Sequence, residues 1–242
     1  MKLLVENPGF ILFAVKKKLI LQVINRLFMK ADINVPIPVL RRMPSYLSFV
    51  KTLQKQGEKY VSSTRIAEYM EIDSTQVTKD LSHTGISGKT RGGYEVDSFV
   101  RILEDFLGFS RVDGAFLVGA GSLGSALLQD KGLSAFGLQI EAAFDTDKTK
   151  IGTKVNDIEI FHIDQFRAMA AERKVVIGII TVPAEHAQNV ADLMVAWGIK
   201  AIWNFTPARI KVPTHIVVQN TTIYMNLAIL FNKLYNDKGE KK

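Results

Sequence analysis

The chain has 242 residues, 47% hydrophobic and 23% charged, with a formal charge of +7, enough for two modest domains with real cores. It contains no cysteine, which excludes disulfides, thiolate nucleophiles and Cys-ligated zinc or iron–sulfur centres. The excess charge is local: residues 1–30 hold six Lys/Arg against one Glu, residues 31–97 nine against eight, so it says little about nucleic-acid binding from residue 31 onward.

In residues 1–28, the apolar runs Ile11–Val15 and Leu19–Ile24 are split by Lys16–Lys18. Neither reaches the ~20 residues of a bilayer span, and no clean secretory leader is present. The expectation is a dispensable extension or a start-site artefact, with translation beginning at Met29. An interfacial amphipathic helix is the alternative.

From Val35 the pattern changes. Pro36, Pro38 and Pro44 lead into a helix with Tyr46, Leu47, Val50 and Leu53 at helical spacing, closed by Gly57. Ser62-Ser63 offers a cap for a short helix through Ile66, Ala67 and Met70. After a break at Glu71-Ile-Asp73, a third helix runs to Ser82 with Val77 and Leu81 inward. Thr75, Gln76, Thr78 and Lys79 remain on or near its outer face. Gly85 to Val96 holds four glycines with Lys89, Arg91 and Tyr94 and reads as a hairpin. Three helices and a hairpin make a winged helix-turn-helix, in which one helix enters the major groove and the wing touches the backbone. Gln reads adenine edges, while Lys and Arg neutralise phosphate. A small helical interaction domain fits the same pattern.

A helix from Phe99 to Leu107 joins this region to the next. The apolar run Ala115–Val118 then ends in Gly119-x-Gly121-x-x-Gly124, a helical pattern follows through Ala126, Leu127 and Leu128, and a second apolar run, Leu138–Phe144, stops at Asp145. Strand, Gly-rich turn, helix, strand and acid, with Asp145 24 residues after Gly121, is the order of a dinucleotide fold. Gly119 permits the turn, Gly121 lets the backbone approach a pyrophosphate at the helix N-terminus, and Gly124 allows close helix–strand packing. Ala120, Ser122 and Leu123 complete the loop, and Asp145 accepts from a ribose diol. An ordinary glycine turn is the plainer alternative. The αβ alternation continues through a strand from Lys174 to Val182, a helix from Ala187 to Trp197, and strands at Ala201–Phe205 and His215–Val218. Thr181, Val182, Pro183 and Asn204 lie at strand carboxyl ends, where ligands of open parallel sheets sit, though turn chemistry explains them equally. A last helix, Thr221 to Tyr235, carries Ile223, Leu227, Leu230 and Leu234.

About 22 residues follow Asn220, too few for a substrate domain. The four histidines are scattered, and no spacing suggests a metal or an acid/base pair. The expected fold class is α/β: an N-terminal winged helix-turn-helix, a Rossmann-type parallel-sheet domain and a C-terminal helix. The expected boundaries are 1–32 for the extension, 33–108, 109–220 and 221–242. This parts list describes a sensor rather than an enzyme. The rivals are a small Rossmann NAD-dependent oxidoreductase with an accessory helical domain, and a nucleotide-binding adaptor that contacts only protein.

Several ordered stretches carry a resemblance: Arg42-Met-Pro-Ser-Tyr46, Val61-Ser-Ser63, Gln76-Val-Thr-Lys-Asp-Leu-Ser82, Gly92-Gly-Tyr-Glu-Val96, Leu117–Gly124, Phe144–Asp147 with Lys150-Ile-Gly152, Thr181-Val-Pro-Ala184, and Gly198–Pro207. Over about residues 35–235 the chain resembles the Rex family of redox-sensing transcriptional repressors. The resemblance implies a cytoplasmic homodimer with a swapped C-terminal helix. It also implies NADH and NAD⁺ competing for one site, and operator DNA released when NADH binds. No small-molecule substrate and no membrane partner are expected. It adds Tyr94 to the cofactor site, and Ser62 and Ser63 to the DNA contacts beside Thr75, Gln76, Thr78, Lys79, Lys89 and Arg91. Departures are visible. Thr78 stands where the family has Arg, His83 and Thr84 replace two aromatics, and Thr90 precedes Arg91. Ser48 and Thr222 stand where the family has an Arg and an Asp implied to form a switch ion pair.

Overall fold

A computed structural model of the chain describes residues 35–89 and 92–236. The expectations for residues 1–28 and for Arg91 lie outside the described residues. The chain divides into two compact units between Leu103 and Glu104.

In the N-terminal unit, α1 spans Ile37–Lys55 and buries Val39, Met43, Tyr46, Leu47, Val50 and Leu53. It starts nine residues before Tyr46, where sequence reading had prolines leading in. Pro38 sits in the first turn, where a missing N–H costs nothing. Pro44 lies inside the helix, where it removes one backbone donor and its ring crowds the carbonyl one turn earlier. Strand β1 is Tyr60–Val61. Helix α2, Ser63–Met70, ends on Glu71 in the left-handed region, φ 53°, and this sharp stop frees the chain to begin α3, Ser74–Leu81. Strand β2, Tyr94–Glu95, pairs antiparallel with β1, and Lys89 bridges to Gly93. The wing is thus a short β1–β2 ladder with a loop. Helix α4, Val96–Leu107, closes this core with Val96, Phe99, Val100 and Leu103.

The second unit is a seven-stranded sheet. In chain order its elements are β3 Asp113–Val118, α5 Ser122–Gln129, α6 Gly132–Ala135, β4 Leu138–Asp145, β5 Lys154–Val155, β6 Ile158–His162, α7 Phe166–Arg173, β7 Ile177–Ile180, α8 Ala187–Ala196, β8 Ala201–Asn204, β9 Val217–Asn220 and α9 Ile223–Asn236. The strand order is β5-β6-β4-β3-β7-β8-β9, parallel except for β5. Without β5 this is the doubly wound dinucleotide order, which reverses between β3 and β7. Phe116, Phe144 and Phe166 fill one face, the Phe116 and Phe166 rings meeting edge to face at 5.3 Å. Ala115, Leu117, Leu128, Ile140 and Ile179 fill the other. No helix among the described residues is long and apolar enough to cross a membrane.

Candidate functional site

The strands on either side of the reversal, β3 and β7, are followed directly by Gly119 and Thr181. Gly119 has φ +103°, and a Cβ there would lie 2.8 Å from the Thr181 carbonyl carbon, so only glycine fits. Thr181 Oγ1 donates to the Gly119 carbonyl at 2.8 Å and to Val118 at 3.1 Å. A Cβ on Gly124 would meet the Gly119 carbonyl oxygen at 2.0 Å, whereas one on Gly121 would meet nothing within 4 Å. The chain therefore leaves open space beside Gly121. No side chain caps α5 there, so its first amides are available to an anion. Ser122 and Leu123 open that helix.

Asp145, at the end of β4, is held by four donors. Oδ2 accepts from the Ala120 amide at 2.9 Å and from Lys150 Nζ at 3.2 Å. Oδ1 accepts from the amides of Thr146 at 2.8 Å and Asp147 at 3.0 Å. Burial pushes this carboxyl up, but the Asp147, Lys150 and Ala120 donors outweigh it and hold the group below the usual carboxylate range. Lys150 is raised in turn, first by its bond to Asp145.

Two cavities share the ridge Thr181-Val182-Pro183. The first, about 520 Å³, is lined by Gly119, Gly121, Asp145, Lys150, Ile163, His186, Asn189 and Leu193 among others. The second, about 370 Å³, is lined by Leu123, Phe205, Thr206, Pro207, Ile223 and Tyr224. An open backbone at Gly121, uncapped amides and a carboxylate beside a lysine fit an elongated ligand with a pyrophosphate and a ribose. A third cavity of about 540 Å³ opens at the amino end of β4 near Leu133, Ile140 and Asn156, away from the strand carboxyl ends. Among the described residues no cluster of His, Asp or Glu could hold a metal.

Sequence reading missed Lys150, Ile163, His186 and Asn189 in the first cavity, and Phe205, Ile223 and Tyr224 in the second. Asn204 is also placed differently from expectation. It is fully buried and lines neither cavity. Its amide donates to the Ala208 carbonyl and Asn220 Oδ1, each at 2.9 Å, and its Oδ1 accepts from the Thr206 amide and hydroxyl at 3.0 and 2.9 Å. With every polar atom engaged, Asn204 shapes the 205–208 turn rather than offering a group to a ligand. Tyr94 is a core residue of the N-terminal unit, its ring 5.9 Å from that of Phe99.

In the N-terminal unit, Ser62 Oγ accepts from the Arg65 amide at 3.1 Å and caps α2, with Ser63 half-buried. Asp73 caps α3 by accepting from the Thr75 amide at 2.6 Å and from the Thr75 hydroxyl. Thr75, Thr78 and Lys79 are exposed, while Gln76 is half-buried and donates to Asp80. Lys89 Nζ lies 5.8 Å from the Tyr60 ring centre. Ser48 is exposed on α1 and Thr222 is half-buried just before α9.

The family described as "CoA binding domain" matches residues 113–208, and "Putative DNA-binding protein N-terminus" matches residues 34–82. The chain is 56% identical over 210 residues, 87% of itself and 96% of the relative, to the redox-sensing transcriptional repressor Rex of Bacteroides fragilis. It is 51% identical over 203 residues to the same repressor of Porphyromonas gingivalis, covering 84% of itself and 93% of that protein. Among solved structures it resembles RSP, a Rex-family repressor, in complex with β-NAD⁺ and operator DNA (31% identity, TM-score 0.80, covering 86% of this chain and 99% of that one). RSP in complex with β-NADH matches at 31% identity and TM-score 0.76, covering 84% and 96%. The expected fold class, a DNA-binding helical domain followed by a Rossmann-type sheet, agrees with these relatives. By sequence over nearly the full length of these relatives, and by the same architecture, the chain belongs to the Rex family of redox-sensing transcriptional repressors.

Proposed function

We propose that this protein is a cytoplasmic, homodimeric repressor that binds NAD(H) in its second unit and operator DNA through its first, and that NADH favours release from DNA. One observation carries the reading: a dinucleotide crevice at a topological switch point and a helix-turn-helix share one chain. RSP, solved with β-NAD⁺ and operator DNA and separately with β-NADH, supports the direction of the switch. Gly121 and the first amides of α5 would hold the pyrophosphate. Asp145 with Lys150 would hold the ribose, and Thr181, Val182 and Pro183 would line the groove. The bound cofactor reports redox state, and the chain's residues bind and orient it. Thr75, Gln76, Thr78, Lys79, Lys89 and Arg91, with Ser62 and Ser63 at the α2 start, are the proposed DNA contacts. The domain limits 33–108 and 109–220 belong to this reading, as does α9 as the dimer element. Every described side chain of α9 from Ile223 to Tyr235 is exposed in the single chain, as an element completed by a second copy would be.

The test is operator selection from a random pool, followed by affinity measurements at saturating NADH and saturating NAD⁺. NADH is expected to weaken DNA binding by at least about tenfold, a 1.4 kcal/mol difference in its affinity for the two states. Equal affinities would overturn the switch. NADH oxidation by the purified protein with a carbonyl or imine acceptor would favour the oxidoreductase instead.

A further inference from the structure

Helix α3 buries Val77 and Leu81 as its spacing requires, and it also buries a carboxylate. Asp80 is fully buried, a costly position for a charge unless it is paired and hydrogen-bonded. It is both. Arg42 approaches with Nε at 2.6 Å from Oδ2 and Nη2 at 2.8 Å from Oδ1, a two-pronged contact with little rotational freedom. Tyr46 donates its hydroxyl to Oδ2 at 2.7 Å. Arg42 and Tyr46 are one turn apart on α1, so α1 presents a rigid clamp. The remaining contact comes from α3 itself: Gln76 Nε2 donates to Asp80 Oδ1 at 2.7 Å.

That last bond has a directional consequence. An ionised carboxylate only accepts, so it admits the amide nitrogen of Gln76 and rejects the amide oxygen. The amide is thereby held in one of its two flip states. One N–H is engaged, and the second N–H and Oε1 have no partner among the described residues, on a half-buried side chain between exposed Thr75 and Lys79. A donor and an acceptor side by side are what bidentate reading of adenine through N7 and N6 requires. Guanine, with acceptors at both N7 and O6, would face Oε1 with another acceptor.

We propose that Asp80, fixed by Arg42 and Tyr46, is a positioning residue that sets the Gln76 amide to read adenine and reject guanine in the major groove. The proposal rests on the first unit being the DNA-binding part. Asp80 touches no base; it acts through Gln76. Replacing it by Asn keeps the size but lets the partner donate as well as accept, so both flip states of Gln76 become available.

The experiment uses the full-length protein and the selected operator. Each adenine of a half-site is changed to guanine, and affinity is measured at one salt concentration for wild type, Gln76→Ala, Asp80→Asn and the uncharged pair Arg42→Gln with Asp80→Asn. The pair carries the test if Asp80→Asn alone does not fold, which thermal melting and circular dichroism decide. In wild type, one position should show an adenine-over-guanine preference of about tenfold or more. Gln76→Ala should abolish it there and nowhere else. Loosening Asp80 should cut it to about threefold or less while the salt slope stays unchanged, because phosphate contacts are untouched. A uniform loss across all sequences, or a full preference retained in the Asp80 variants, would overturn the proposal and leave the cluster as a fold element only. Failure of wild type to retain any DNA would overturn the reading of the unit itself, which is a different result.

Discussion

A Cβ on Gly124 would lie 2.0 Å from the Gly119 carbonyl oxygen, whereas one on Gly121 would find nothing within 4 Å. Gly121 also has an ordinary backbone, φ −76°. One glycine is therefore required by packing within the chain, and the other leaves space for something outside it. Gly124→Ala must push helix α5 off the turn and should cost about 1–3 kcal/mol of stability, as overpacking does. Gly121→Ala should leave the thermal midpoint nearly unchanged, within about 0.5 kcal/mol, yet reduce NADH affinity at least about tenfold because the methyl occupies the pyrophosphate's approach. Thermal melts and NADH titration of both variants separate the two roles. An unaltered NADH affinity in Gly121→Ala would remove the pyrophosphate from this turn.

Helix α3 and the wing next to it illustrate what an element contributes. If Lys89 or Arg91 contacts only phosphate, its alanine variant should weaken all DNA sequences alike and reduce the log K against log salt slope by about one. Lys79 lies on α3 and can change base preference as well. Unchanged DNA affinity in all three single variants would turn this unit into an interaction domain. The elements were readable to different depths. The strand–glycine turn–helix–strand–acid run from β3 to Asp145 was legible because apolar runs, glycines and the acid each constrain the others. The β5–β6 hairpin was overlooked, although Asn156 and Asp157 in left-handed conformation, φ 49° and 66°, are residue types that favour such a turn. Asn204 took a different place from the expected one because a polar residue at a strand end looks available to a ligand. Only its tertiary partners, Ala208 and Asn220, show that its amide is engaged inside the chain. Lys150 escaped because its partner Asp145 is met across a turn rather than at a helical or strand period.

For the molecule as a whole, the switch is the property that no single unit contains. The family resemblance implies an Arg–Asp pair at the positions of Ser48 and Thr222, and this chain has neither charge. A partly solvated ion pair is worth ~1 kcal/mol or less, so its absence changes the gap between two states rather than abolishing either. Restoring both charges, Ser48→Arg with Thr222→Asp, should change the NADH-to-NAD⁺ effect on DNA affinity several-fold, more than the two single variants together. All four proteins of the cycle are measured at saturating NADH and NAD⁺. Additive single effects, with no coupling beyond error, would make the two positions ordinary surface residues.

The apolar face of α9 also bears on how much of the protein is needed. Ile223, Leu227, Leu230 and Leu234 are 62%, 40%, 59% and 59% exposed on the single chain. When a second copy covers them, the stability of the assembly follows mass action. Each tenfold dilution then removes about 1.4 kcal/mol from the association free energy. The thermal midpoint should accordingly rise with protein concentration, and a midpoint independent of concentration would overturn α9 as the dimer element. Copy number per cell thus becomes a second input to the sensor. At low abundance the paired form thins out before the cofactor ratio changes, and the NADH level at which genes are released shifts with the amount of repressor made.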